Sequence, residues 1–124
     1  VVRQGGVILA VADCWDGIPD HGNFGKLLAE HTNPEEMLQV INAPGFACLD
    51  QWQAQLFAQI RLKAEVHLYS ENLTEEAMEK LRIRKCHDIA ELIEMQRQVY
   101  GQDFSICLLP EGPQTIPYLE SRVL

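Results

Sequence analysis

Gly5-Gly6-Val7-Ile8-Leu9-Ala10-Val11-Ala12-Asp13-Cys14-Trp15-Asp16-Gly17 begins as an unbroken apolar stretch and ends abruptly in an acid, a cysteine, a second acid and a glycine. Continuous Val, Ile, Leu and Ala over that length predict a strand covered on both faces, as strands of parallel sheets are. The polar cluster then falls at the carboxyl end of the strand, the edge at which open α/β folds hold their ligands. Asp13, Cys14, Trp15, Asp16 and Gly17 are therefore the first candidates for a functional loop. Asp-Gly after a strand is also ordinary turn chemistry, so the same residues have a purely connective reading.

Outward from this stretch, strands and helices alternate. Asn23 to Glu30 fits a short helix, and Asn33-Pro34-Glu35-Glu36 is a helix start with a cap, a first-turn proline and an acid at the third position. Pro44-Gly45 ends that helix. Asp50 opens the next, Gln51 to Lys63, with Gln53 completing a capping box and Trp52, Leu56, Phe57 and Ile60 forming one apolar stripe. Ala64 to Tyr69 has the composition of a second strand. Asn72-Leu73-Thr74 matches a glycosylation acceptor but reads more simply as a helix start, with Thr74 capping a short acidic helix that ends near Leu81. Asp88 and Glu91 open a longer helix with an apolar face of Ile89, Leu92, Ile93, Met95, Val99 and Tyr100, stopped by Gly101. Phe104 to Leu109 is expected to be a third strand, followed by a Pro110-Glu111-Gly112-Pro113 loop and a proline-containing tail. Strands separated by helices predict an α/β fold: a three-layer, Rossmann-like parallel sheet with right-handed crossovers and helices on both faces. If the chain is a fragment, an element upstream of Val1 completes the start of the sheet.

The 124 residues are 47% hydrophobic and carry a formal net charge of −8. That length suits a single domain over 1–124 with a real core. The chain is read as acidic with no Lys/Arg cluster, and on that expectation it is a poor candidate for nucleic acid or an anionic membrane, both of which attract basic surface. The first apolar run is too short to span a bilayer, and no leader-like segment precedes it, so a soluble, cytoplasmic protein is expected. Cys14, Cys48, Cys86 and Cys107 are widely spaced, which fits reduced thiols better than a zinc site or a disulfide framework.

Asp16-Gly17-Ile18-Pro19-Asp20-His21-Gly22 does not supply a dinucleotide fingerprint, and there is no P-loop. Asp13 and Asp16 could hold a divalent cation, although such sites need more oxygen ligands and two acids in a loop more often form a solvated rim. Cys14 as a nucleophile would need His21 as its base; a small packed residue is the commoner role. His67, inside a strand, is expected to be packed or at the surface, and His31 and His87 are scattered. Trp52 lies in the first turn of its helix, where free N–H groups and the helix dipole favour an anionic ligand such as a carboxylate. Alternatively, Asp50 caps those donors and Trp52 tops the apolar stripe.

Gly5-Gly6-Val7-Ile8 through Val11-Ala12-Asp13-Cys14-Trp15-Asp16-Gly17, the later Phe24, the Asp50-Gln51-Trp52-Gln53-Ala54-Gln55 helix start and Pro110-Glu111-Gly112 together resemble the carboxyl-terminal domain of the lactate racemase family, enzymes that use a nickel-pincer nucleotide. The resemblance runs in order through nearly the whole chain, and D-Q-W-x-x-Q is its most specific part. It implies a two-domain parent that inverts the α-carbon of a 2-hydroxy acid by moving a hydride to the cofactor and back. It also implies that the cofactor-linked lysine, nickel-binding histidine and paired histidine bases belong to an amino-terminal catalytic domain, with no catalytic or metal-binding residue in this chain. Trp52 carries over as a substrate-side wall at the domain interface, with Asp13, Cys14, Asp16 and Gly17 as a candidate interface loop. The loop Ile18 to Phe24 departs from the family's shorter, more glycine-rich connection, which makes another hydroxy acid an equal candidate to lactate. The competing class is a non-catalytic α/β module that binds a ligand or partner through the same strand ends.

Overall fold

A computed structural model describes residues 2–18 and 21–118. Pro19 and Asp20 of the loop after Gly17, and the tail beyond residue 118, lie outside the described residues. The chain divides into two compact units, Val2–Ile89 and the residues from Ala90 onward. In the first unit the order is β1 (Gly6–Val11), α1 (Phe24–Glu30), α2 (Pro34–Ile41), α3 (Gln51–Lys63), β2 (Ala64–Tyr69), α4 (Glu75–Lys80) and β3 (Arg84–Lys85). The three strands are parallel, in the order β1-β2-β3, so the α/β class expected from the sequence is the one observed. β1 and β2 pair along their full lengths, from Gly6 opposite Ala64 to Val11 opposite Tyr69.

Local signals account for most element starts. Asn33 Oδ1 accepts the Glu36 N–H (3.1 Å) and Thr74 Oγ1 accepts the Ala77 N–H (3.2 Å), each filling one of the free donors of a first helical turn. α4 ends in a Schellman turn: Ile83 N–H donates to the Met78 carbonyl, Arg82 N–H to the Glu79 carbonyl, and Arg82 takes the left-handed position at φ 58°. That turn delivers Arg84 beside His67 and starts β3. α5 (Ile89–Tyr100), which starts at the last residue of the first unit, ends where expected, at Gly101 with φ 86°.

Three expectations are corrected. The third strand is Arg84–Lys85, and Phe104 to Leu109 forms no strand. A strand exists by pairing. No residue of that run is paired with β1, β2 or β3, and Leu108 is left 81% exposed. The two residues of β3 are too few to show a period in the sequence. Second, β1 is not fully covered in this chain: it is an edge strand, half-buried at its start and exposed at Ala10 and Val11.

Third, α3 presents the opposite face to the core from the one its hydrophobic pattern suggests. Ala54 and Ala58 are 0% exposed, whereas Trp52, Leu56 and Ile60 are exposed; of the expected stripe, Phe57 alone is half-buried. Two residues along a helix is a rotation of about 200°, so 54/58 and 52/56/60 lie on opposing faces. Leu27 and Leu28 of α1 with Met37 and Ile41 of α2 fill the space against α3, leaving room for methyl groups. Phe24 and Phe57 close one side of this cluster edge to face, with ring centroids 6.0 Å apart. A second cluster joins Leu68 of β2 to Leu73 and Met78. Ala58→Leu is therefore expected to destabilise the chain by about 1–3 kcal/mol through overpacking. Leu56→Ala should stay within about 0.5 kcal/mol, as surface changes do. Urea midpoints of the two variants test this, and the reverse order would restore the stripe as the core face.

Candidate functional site

Parallel pairing of β1 with β2 brings the residues that follow each strand side by side. Ala12 N–H extends the ladder to the Tyr69 carbonyl (3.1 Å). The Asp13 carbonyl then accepts from Ser70 Oγ (2.7 Å) and Asn72 Nδ2 (3.0 Å), and the same amide nitrogen donates to Asp13 Oδ1 (2.6 Å). Asn72 N–H in turn donates to Ser70 Oγ (3.3 Å). Backbone and carboxylate of Asp13 are thus both fixed from the β2 side. Beyond it the chain reverses through Cys14 (φ 53°) to Gly17 (φ 71°), with Gly17 N–H donating to the Cys14 carbonyl (2.9 Å). Trp15 and Asp16 stand exposed at the tip.

Ser70 and Asn72 were missed in the sequence as parts of this site. Asn72 stood out there only as a glycosylation-like triplet at a helix start. The signal that would have found them is topological: in a parallel pair, whatever follows the second strand neighbours whatever follows the first. Cys14 packs against the Leu68, Leu73 and Met78 cluster, in keeping with a small packed residue, while His21 is exposed. His67 is buried in β2 with Nε2 2.9 Å from Glu65 Oε1, an oxygen that also meets Arg84 Nη1 at 2.6 Å. Among the described residues no group of three or more His, Cys, Asp or Glu is placed to hold a metal ion.

The Asp50-Gln51-Trp52-Gln53-Ala54-Gln55 segment works differently from the expected capping box. Asp50 is left-handed (φ 67°), and its side chain makes no cap bond to α3. Its carboxylate instead accepts the Asn23 N–H at the start of α1 (3.3 Å). Gln51 Oε1 reaches back to the Cys48 N–H (2.7 Å), and Gln55 Nε2 donates to Asn42 Oδ1 beyond the end of α2 (2.9 Å). Ala54 is buried in the core. Asp50, Gln51 and Gln55 therefore tie the start of α3 to three neighbouring segments, and Trp52, 59% exposed, is carried outward on that base. Leu49, Leu56 and Ile60 are also exposed apolar residues of this segment and helix.

Asp50 also constrains the loop before α1. Gly22 has φ 85°, and a Cβ there would meet Asp50 Oδ2 at 2.8 Å. Gly22→Ala is expected to destabilise by about 1–3 kcal/mol, from backbone strain and the close approach together. In an Asp50→Ala background the close approach disappears, so the cost of the same change should shrink. Denaturant midpoints of the four-member cycle check the coupling; strict additivity would mean that Asp50 does not face Gly22.

Comparisons with known proteins place this chain in a family. The structure is similar to the lactate racemase apoprotein from Thermoanaerobacterium thermosaccharolyticum, with a TM-score of 0.66 and 22% identity, over 82% of this chain and 24% of that one. In sequence, the chain is 26% identical over 116 residues to the lactate racemase of the same organism, covering 92% of this chain and 27% of the relative. It is 30% identical over 112 residues to the lactate racemase of Lactiplantibacillus plantarum, covering 89% of this chain and 26% of the relative. The chain thus spans about a quarter of the length of these relatives. Residues 1–116 match the family described as "Lactate racemase C-terminal domain", and the chain belongs to that family.

Proposed function

We propose that this chain is the carboxyl-terminal domain of a racemase or epimerase acting on a 2-hydroxy acid, lactate or a relative of it. The observation that carries the reading is an exposed Trp52 on a base immobilised by the Asp50, Gln51 and Gln55 bonds, within a chain of the lactate racemase C-terminal family. A large apolar side chain held rigidly in the open is suited to contact a partner surface or a bound molecule. The adjoining exposed Leu49, Leu56 and Ile60 support an interface with the remainder of a longer parent, the amino-terminal catalytic domain. Four free cysteines support a reducing, cytoplasmic setting, and no helix among the described residues is long and apolar enough to cross a membrane.

The reaction proposed for the parent inverts the α-carbon by hydride transfer to and from a nickel-pincer nucleotide. Among the described residues the donor set does not fit a nickel centre, since no three metal-ligating side chains gather there. By family resemblance, the metal, cofactor and acid–base groups are assigned to the amino-terminal domain. What this chain contributes is a wall: the Trp52 indole excludes water from one side of the substrate and restricts its orientation at the domain interface. The Asp13–Gly17 loop, at the carboxyl ends of the strands, is the second surface offered to that interface.

In the full-length parent, Trp52→Phe is expected to lower kcat/KM about tenfold or more, roughly 1.4 kcal/mol of transition-state stabilisation, with little change in Tm. Chiral chromatography on lactate, malate and similar acids, paired with thermal melts, measures both. Lost stability with unchanged kinetics would reduce Trp52 to packing. The chain produced alone is expected to racemise none of these acids even with added nickel-pincer nucleotide, and turnover by it would place chemistry in this domain after all.

A further inference from the structure

Within the Val2–Ile89 unit, away from the strand-end loop, basic side chains converge. Arg61 and Lys63 from the last turn of α3, and Arg82 and Arg84 from the end of α4 and β3, line one cavity of about 410 Å³ together with Gln4 and Glu65. The chain as a whole is strongly acidic, with ten Lys and Arg against eighteen Asp and Glu, yet four of those ten cations meet here around a single lining carboxylate. The cavity lies at the amino end of β2. The candidate interface loop follows the carboxyl ends of β1 and β2, about 20 Å away along a six-residue strand.

Ordinary structural roles explain only part of this gathering. Basic residues in a last helical turn are favoured by the helix dipole, which accounts for Arg61 and Lys63. The carbonyls there are nevertheless already taken, Leu62 O by Gln4 Nε2 and Lys63 O by Gly5 N–H, each at 2.7 Å. The dipole does not account for Arg82 and Arg84, which arrive from a different element. Arg61 is immobilised by the Thr32 carbonyl (3.2 Å) and the Phe57 ring below its guanidinium. Burial, and then the charge of Arg82, hold its pKa below the usual arginine range, while Glu35 acts in the opposite sense. Arg61 Nη1 and Arg82 Nε are both buried without a hydrogen-bond partner, which adds desolvation cost, while the other guanidinium nitrogens of the two side chains are the donors left to face the cavity. Glu65 gives no general neutralisation, because its Oε1 is shared between Arg84 and His67.

Arg82 adds an independent sign. It occupies the left-handed position of the Schellman turn, where glycine is favoured and an L side chain is strained. Two like charges held together, partly desolvated, with one of them on a strained backbone, is a costly arrangement unless an anion completes it.

We propose that Arg61, Lys63, Arg82 and Arg84 form a binding site for a phosphorylated small molecule, distinct from the Trp52 surface and the strand-end loop. Guanidinium groups match phosphate oxygens with paired N–H donors, and the site is open to solvent, so an organic part can extend outward from a bound phosphate. The site does not depend on the racemase reading.

Pyrophosphate and inorganic phosphate are the probes, titrated calorimetrically into the full-length parent at fixed ionic strength, with malonate as a carboxylate control. Saturable binding of the phosphates, stronger than that of malonate, is expected. Arg82→Gly separates ligand binding from folding: glycine suits the left-handed turn, so Tm should hold or rise while pyrophosphate affinity falls about tenfold or more. Arg61→Gln should weaken binding by a similar factor, and Lys26→Gln, on α1 outside the cavity, should leave it unchanged. Absence of saturable phosphate binding, or unchanged affinity in Arg82→Gly, would overturn the proposal. So would a fall in Tm for Arg82→Gly in the full-length parent without any anion dependence, because it would mean that acidic side chains of the parent itself occupy the cluster.

Discussion

The parallel ladder between β1 and β2 is the constraint on which the other features rest. Six consecutive residue pairs, Gly6 with Ala64 through Val11 with Tyr69, align two segments more than fifty residues apart in sequence. Because the strands run the same way, both carboxyl ends emerge together, and the register decides what meets there. Ala12 joins Tyr69, and Asp13 comes under Ser70 and Asn72. The same register fixes the other end, where Gln4 and Gly5 close on the last carbonyls of α3 and lay the floor of the basic cavity. A one-residue slip would turn every side chain of β1 to the opposite face and dismantle both ends at once.

Helix α3 transmits that frame to the proposed interface. Its alanines let α1 and α2 approach closely, and the resulting core holds the helix by its least hydrophobic-looking face. Bulky side chains are thereby left outside, at a position where Asp50, Gln51 and Gln55 tie the helix start to the Asn23 amide, Cys48 and Asn42. An isolated soluble domain would gain by burying Trp52, Leu56 and Ile60 instead. Their exposure is what the proposed interface with a longer parent calls for.

Backbone strain follows the same geography. Among the described residues, Cys14, Asp50 and Arg82 are the non-glycine residues with positive φ. One turns the strand-end loop, one anchors the base of Trp52, and one enters the basic cavity. Each conformation costs free energy; hydrogen bonds within their own turns hold Cys14 and Arg82, whereas Asp50 is held by the Asn23 N–H from a distant segment.

The sequence by itself determined the α/β class, the bounds of β2 and the caps at Asn33 and Thr74, because those depend on residues within one or two turns of each other. It also singled out the Asp13–Gly17 loop and the D-Q-W segment, whose unusual composition is local. Tertiary structure alone decided which face of α3 is buried, since Trp52/Leu56/Ile60 and Ala54/Ala58 are both helical repeats and only the space left by Leu27, Leu28, Met37 and Ile41 distinguishes them. It decided as well that Asp50 serves Asn23 and not its own helix, that Ser70 and Asn72 clamp Asp13, and that two residues after α4 pair with β2 where an apolar run at Phe104 to Leu109 does not. Four basic residues spread over 61–84 became one cavity in the same way. In each case the deciding partner lies far away in sequence, and a long-range contact leaves no period or spacing for the sequence to display.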